Sequence, residues 1–117
     1  MDHREQDTTA CKTHRIQFLN DEFRTTGEGG TIVITEGVQR LGVRKHSVIM
    51  QAIRAFDQFT SSNDPYGEHD FGAVDIGEAN VFWKIDYHDV DKLMGSPDPA
   101  DASVTARVMT VMLDSDY

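Results

Sequence analysis

The stretch Ala79-Asn80-Val81-Phe82-Trp83-Lys84-Ile85-Asp86-Tyr87-His88 decides the fold. Val81, Trp83, Ile85 and Tyr87 alternate with Phe82, Lys84, Asp86 and His88. A period of two is that of a strand, and here one side is apolar and the other mostly polar, so the first set faces a core. Upstream, Glu68 to Asp75 reads as the partner arm of a hairpin with Ile76-Gly77-Glu78 at its tip. Downstream, residues 89–103 hold two prolines and four aspartates, the composition of an exposed loop. Val104 to Leu113, rich in Val, Met and Thr, is then a last strand.

Further from the hairpin the period changes. Val48, Ile49, Ala52, Ile53, Phe56 and Phe59 recur at spacings of three and four, which predicts a helix from about Lys45 to Phe59. Ser61-Ser62-Asn63-Asp64-Pro65-Tyr66-Gly67 after it is turn chemistry. Thr31-Ile32-Val33-Ile34-Thr35 is β-branched throughout and predicts a strand, broken by Glu36-Gly37. Ile16, Leu19 and Phe23 share a face of a first helix, Lys12 to about Thr25, which the glycines of Gly27-Glu28-Gly29-Gly30 stop. The expected domain is therefore α+β, with order α-β-α-β-β-β. An antiparallel sheet of about four strands would carry two helices on one face. Residues 1–11 form a flexible polar segment and 12–117 a single domain in this reading.

At 117 residues one core is expected. Leu, Ile, Val and Phe make up 27 of them, about 23%, above the roughly 20% below which disorder is expected. The lone cysteine, Cys11, excludes an intrachain disulfide and cysteine-based zinc ribbons, and reads as a surface thiol rather than a nucleophile paired with His14. The longest apolar runs are three residues, as in Ile32-Val33-Ile34, far too short for a membrane span. The N-terminus lacks the apolar core of a secretory signal, so a cytoplasmic protein is expected.

Charge is unevenly placed. Of the 20 acidic side chains, eleven fall within residues 57–101 against only Lys84 and Lys92, so that segment carries the whole net charge of -9. They are Asp57, Asp64, Glu68, Asp70, Asp75, Glu78, Asp86, Asp89, Asp91, Asp98 and Asp101. Such a balance argues against direct nucleic-acid binding and against docking on anionic lipid. Glu68 with Asp70, and Asp89 with Asp91, would lie on one face of extended chain. Like charges so placed repel, by a few tenths to about 1 kcal/mol per close pair. Three readings follow: an acidic coat for solubility, an acidic face for a cationic partner, or a metal or catalytic site. Arg40, Arg44, Lys45 and Arg54 form a modest basic patch around the second helix, a solvated face or a contact for the acidic segment of a second copy.

The densest polar stretch is Asn63-Asp64-Pro65-Tyr66-Gly67-Glu68-His69-Asp70-Phe71-Gly72. As chemistry, His69 is a candidate base oriented by Asp70 or Asp86, and Asp64, Glu68, His69 and Asp70 offer metal-ligand atoms. Against both, neighbouring strand residues point to opposite faces, and no Ser, Cys or Lys nucleophile stands at a recognisable spacing. The structural alternative has Asn63 and Asp64 turning the chain, Glu68 or Asp70 accepting backbone N–H bonds, and His69 partly buried beside a partner. Asp70-Phe71-Gly72 matches a kinase tripeptide, but nothing else of that signature is present and no phosphate-binding glycine loop accompanies it. Trp83 and Tyr87 read as core, and Met94, Met109 and Met112 as packing gap-fillers.

His69-Asp70-Phe71-Gly72, preceded by Asn63-Asp64-Pro65 and followed by Trp83-Lys84-Ile85-Asp86-Tyr87, resembles a family of small uncharacterised bacterial proteins marked by an HDFG tetrapeptide, a domain of unknown function. The resemblance runs from about Ile16, through Leu19-Asn20-Asp21 and Phe23-Arg24, to Tyr117. It brings no activity. Its members resemble accessory genes of plasmids and phages, which implies a counter-defence role of the anti-CRISPR or anti-restriction kind. The reading taken forward is a non-catalytic acidic inhibitor, with no cofactor and no metal. It is expected to occupy the basic nucleic-acid channel of a defence complex, CRISPR–Cas being the candidate, through Asp64, Glu68, Asp70, Asp75, Glu78, Asp86, Asp89 and Asp91. The alternatives are a metal-dependent hydrolase or nuclease built on Glu68, His69 and Asp70, and a regulatory homodimer.

Overall fold

The structure, a computed structural model, describes residues 3–117, with side-chain surroundings from Ala10 onward. The elements are α1 (His3–Thr26), β1 (Thr31–Ile34), α2 (Glu36–Gln39), α3 (Val43–Arg54), β2 (Phe71–Asp75), β3 (Asn80–His88) and β4 (Ala106–Leu113), with short 3-10 turns at Ala102–Val104 and Asp114–Asp116. The α+β class expected from the sequence is right. The segment expected to be unstructured up to residue 11 lies outside the described residues at 1–2, and from His3 the chain is helical.

The sheet order is β1-β4-β3-β2. β2 pairs antiparallel with β3, and β3 antiparallel with β4, with Trp83 opposite both Gly72 and Val111. β1 instead runs parallel to β4, with Ile32 beside Met109 and Ile34 beside Val111. The sheet is thus mixed, and the expectation of an antiparallel sheet is corrected at this pair. The reason lies in the connection. α2 and α3 carry the chain back to the end of the sheet from which β1 started, so β2 runs in β1's direction, as it must after a helical crossover. β4, antiparallel to β3, shares that direction. The element order also gains a helix, because Glu36-Gly37 ends β1 and at once opens α2, whose Val38 is fully buried.

All helices lie on one side. Phe23 of α1, Val38 of α2 and Ile49 and Ile53 of α3 form one core with Val74, Val81, Trp83, Ile85, Met109 and Val111. The alternation read in β3 holds: Val81, Trp83 and Ile85 are buried and Tyr87 is half-buried. The opposite face carries Phe71, Phe82 and Tyr117 in edge-to-face contact.

α3 stops at Arg54, short of the expected Phe59. Arg24 of α1 explains the stop, since its Nη1 donates to the carbonyls of Ile53 (3.0 Å) and Arg54 (3.1 Å), satisfying the orphan acceptors of the last turn. Phe56 and Phe59, freed from the helix, fold back edge-on to Trp83 at 5.6 and 6.2 Å. Gly72 leaves the room that Trp83 needs, because a Cβ there would stand 2.6 Å from the indole nitrogen.

Candidate functional site

α1 reaches the sheet through a stripe that is only partly apolar. Ile16 and Phe23 are buried, and so are Asn20 and Arg24 between and beyond them. Those polar residues need partners in the interior: Arg24 finds them in the last turn of α3, and Asn20 in the chain between α3 and β2 and in β3 and β4.

Residues 60–70 form a compact turn. Asn63 Oδ1 accepts from Thr60 N (2.8 Å) and its Nδ2 donates to Gln58 O (2.8 Å). Asp64 is 9% exposed, and its Oδ1 accepts from the backbone N–H groups of both Glu68 and His69, each at 3.1 Å. Closing that loop requires left-handed backbone at Gly67 (φ 70°) and His69 (φ 56°). The expected strand arm therefore begins at Phe71, and Glu68 and Asp70 do not share the face of an extended strand.

The turn docks against α1 at three points. Gln17 Nε2 donates to Gly67 O (2.9 Å), Asn20 Nδ2 to Glu68 O (3.0 Å), and the His69 ring meets Asp21 with Nδ1 2.9 Å from Oδ1. The other ring nitrogen of His69 lies 3.6 Å from Asp64 Oδ2, and the ring stacks on Phe59 at 3.8 Å. Asp21 also accepts from Arg24 Nη2 (3.2 Å), and that guanidinium lies over the rings of Phe59 and Trp83 at 5.5 and 5.6 Å. Both imidazole nitrogens are thus directed at the protein's own carboxylates.

The network continues across the sheet. Tyr87 Oη donates to Glu68 Oε1 (2.7 Å) and accepts from Asn20 Nδ2 (2.8 Å). Asn20 Oδ1 accepts from Arg107 Nε (2.8 Å), and Arg107 also donates to Pro99 O and lies over the Tyr87 ring. Burial, reinforced by the Glu68 carboxylate, holds the Tyr87 hydroxyl well above the ordinary phenol range. Burial likewise pulls the Arg107 guanidinium below its usual value. Asp70, beside this network, is pushed above the ordinary carboxylate range by burial and by the charge of Glu68, with Asp64 and Asp86 adding to it.

The acidic residues singled out in the sequence separate into three groups. Asp64 and Glu68 are taken up by the buried network, and Asp70 is half-buried beside it. Others have local partners: Asp86 pairs with Lys84 (3.3 Å), Glu78 with Lys45 (2.5 Å), and Asp89 accepts from Leu93 N (3.0 Å). Asp75 Oδ1 receives Gly77 N (2.7 Å), yet the residue stays exposed, as does Asp91. A shallow groove of about 480 Å³ at the β2–β3 end of the sheet is lined by Asp75, Glu78 and Asp114, with Asn80, Leu113 and Ser115. Asp101, fully exposed, lies elsewhere and is held below the usual range by hydrogen bonds from Ser103.

Among the described residues no group of three or more His, Cys, Asp or Glu side chains is placed to hold a metal ion. No helix of the described residues is long and apolar enough to cross a membrane. Met109 and Met112 are packed as expected, but Met94 is 72% exposed and fills no gap. Cys11 is exposed.

A model of the family DUF3768, proteins of unknown function, matches residues 34–116. The chain belongs to this family. No curated protein and no solved structure matches it. The family span covers the turn and all of β2, β3 and β4, whereas Asn20, Asp21 and Arg24 precede it. The sequence reading named those three α1 residues only as part of the resemblance and gave them no role, and it passed over Arg107. The signal was present: Asn20 and Arg24 extend the Ile16 stripe at i+4 and i+8, where polar residues announce buried partners.

Proposed function

We propose that this chain is a non-catalytic binding protein whose exposed carboxylates occupy a basic, nucleic-acid-binding surface of a protein partner, excluding nucleic acid by charge mimicry. The observation that carries this reading is the groove at the β2–β3 end, where Asp75, Glu78 and Asp114 converge with Lys45 as a cation at the margin. Carboxylates gathered at one open groove present negative charge to a Lys- and Arg-lined channel, and their field accelerates encounter. The contact set in this proposal centres on Asp75 and Glu78, with Asp86, Asp89 and Asp91 as outlying contributors. Asp64, Glu68 and Asp70 act indirectly, through the turn that sets the start of β2. A host defence complex, CRISPR–Cas first, is the partner class to which the sequence resemblance points.

The test is competition. Purified CRISPR–Cas effector complexes are incubated with the protein and with their target DNA, and occupancy is read by anisotropy of labelled DNA. The proposal expects mutually exclusive binding that the doubly reversed variant Asp75→Lys/Glu78→Lys loses by at least about tenfold. Unchanged displacement by that variant, with its melting temperature preserved, contradicts it.

A further inference from the structure

The loop after β3 is built with unusual completeness for a segment that touches so little. Asp89 N donates to Met94 O (2.8 Å), Lys92 N to Asp89 O (2.9 Å) and Ser96 N to Tyr87 O (3.1 Å), and His88 bridges Gly95. Asp89 Oδ1 receives Leu93 N, and Lys92 holds left-handed backbone at φ 61°. This framework holds three apolar side chains out into water: Val90 is 63% exposed, Leu93 84% and Met94 72%. Lys92 Nζ turns back to Thr31 Oγ1 (3.4 Å), which removes the loop's only cation from the tip and leaves Asp91 there. The tip is a preordered apolar knob with an acidic edge. Nothing within the fold gains from its exposure, and its ordering cost is already met before any encounter.

The complementary surface is on the same chain. The outer face of α3 exposes Val43 (86%) and Val48 (52%) with Arg44 and Arg54, and that helix contains no acid. Among the described residues Arg44, Arg54 and Asp91 have no ion-pair partner. One molecule cannot join its own two patches. Lys45, next to Arg44, pairs with Glu78 just before β3, whereas the knob follows β3's far end, nine residues on.

We propose that the 89–94 knob of one molecule docks on the outer face of α3 of a second copy, Leu93 and Met94 against Val43 and Val48, with Asp91 beside Arg44. Since the patches sit at opposite ends of the sheet, two copies lying antiparallel about a two-fold axis make the contact twice and leave neither patch open. The doubling matters, because one such contact falls well short of the roughly 1,200 Å² of total buried area at the low end for specific interfaces. This pairing uses neither Asp75 nor Glu78, the centre of the proposed contact set, and shares with that set only the outlying Asp91 and the Asp89 that closes the knob, so the Asp75→Lys/Glu78→Lys variant should dimerise as the wild type does.

Sedimentation velocity over a concentration series tests it. The wild type is expected to dimerise. Asp91→Arg and Arg44→Asp are each expected to weaken dimerisation by about tenfold or more, and Leu93→Ser likewise. An equimolar mixture of Asp91→Arg and Arg44→Asp re-forms the dimer, because each contact in the mixed pair then joins opposite charges. All three positions are exposed, so melting temperatures serve as the folding control. A wild type that stays monomeric at millimolar concentration overturns the proposal. A dimer that none of the three substitutions weakens, or a mixture that fails to recover, overturns it equally.

Discussion

Two turns of this protein use one device and put it to different ends. In each, an aspartate takes the backbone N–H of the residue four positions on, Asp64 from Glu68 and Asp89 from Leu93, and a non-glycine residue nearby holds left-handed backbone, His69 and Lys92. What differs is what the closed turn presents. The first presents His69, whose ring finds Asp21 on α1 and the face of Phe59, so the turn is drawn into the domain and Asp64 is buried. The second presents Val90, Leu93 and Met94, which find no neighbour and remain in solvent. A turn motif sets the local path of the chain. Whether its carboxylate becomes interior or surface charge depends on what an adjacent helix offers.

That contrast can be tested by removing its parts, starting with the buried hub. Asn20→Leu keeps the branched shape but leaves Arg107 Nε and Glu68 O without their partner, and Tyr87 Oη without a donor. It is expected to cost about 3 kcal/mol in urea-unfolding free energy, since several buried polar groups are stranded at once. A cost below about 1 kcal/mol would show that α1 and the turn are not coupled through this residue.

Asp64→Ala comes next. It uncovers two backbone donors beneath α1 and is expected to cost about 2 kcal/mol, while Asp64→Asn, which keeps an acceptor, should recover much of that. The same substitution in the second turn, Asp89→Ala, is expected to cost no more than about 0.5–1 kcal/mol, because water reaches its donors. Equal costs at the two positions would break the contrast.

The smallest effect belongs to Asp70, and its sign is opposite. Its folded carboxyl titrates above the ordinary value of 3.8, through burial and the neighbouring Glu68 charge. The folded state then binds the proton more tightly than the unfolded one, so stability is lost as pH rises from 3.8 through the raised folded value. At pH 7 Asp70→Asn should therefore raise the melting temperature, by about 2–4 °C, and the gain should vanish below the ordinary carboxyl value of 3.8. A lower melting temperature at neutral pH would mean that the Asp70 charge has a partner that favours it.

Much of the framework was legible because it obeys simple periods. The alternation of Val81, Trp83, Ile85 and Tyr87 placed β3, and the spacing of Val48, Ile49, Ala52 and Ile53 placed α3. The parallel pairing of β1 was not legible, because a four-residue β-branched run carries no mark of direction and its neighbour lies more than 70 residues along, at Val108 to Val111. The end of α3 was missed for a similar reason. The apolar period continues through Phe56 and Phe59, but the group that caps the helix, Arg24, arrives from another element. Within the acidic segment the count of charges was readable and their fates were not. Asp64 and Asp75 look alike in sequence, yet one closes a buried turn and the other lines an open groove.

The proposed role rests on the surface carboxylates governing encounter with a basic partner, and the association rate constant reports on that most directly. Stopped-flow binding to a purified CRISPR–Cas effector complex should show a rate that falls by about tenfold or more between low and high salt. Asp75→Lys/Glu78→Lys should flatten that dependence, whereas Asp64→Asn, altered only in the interior, should leave it intact. A wild-type rate indifferent to ionic strength, or one that the surface substitutions leave unchanged, would contradict the account.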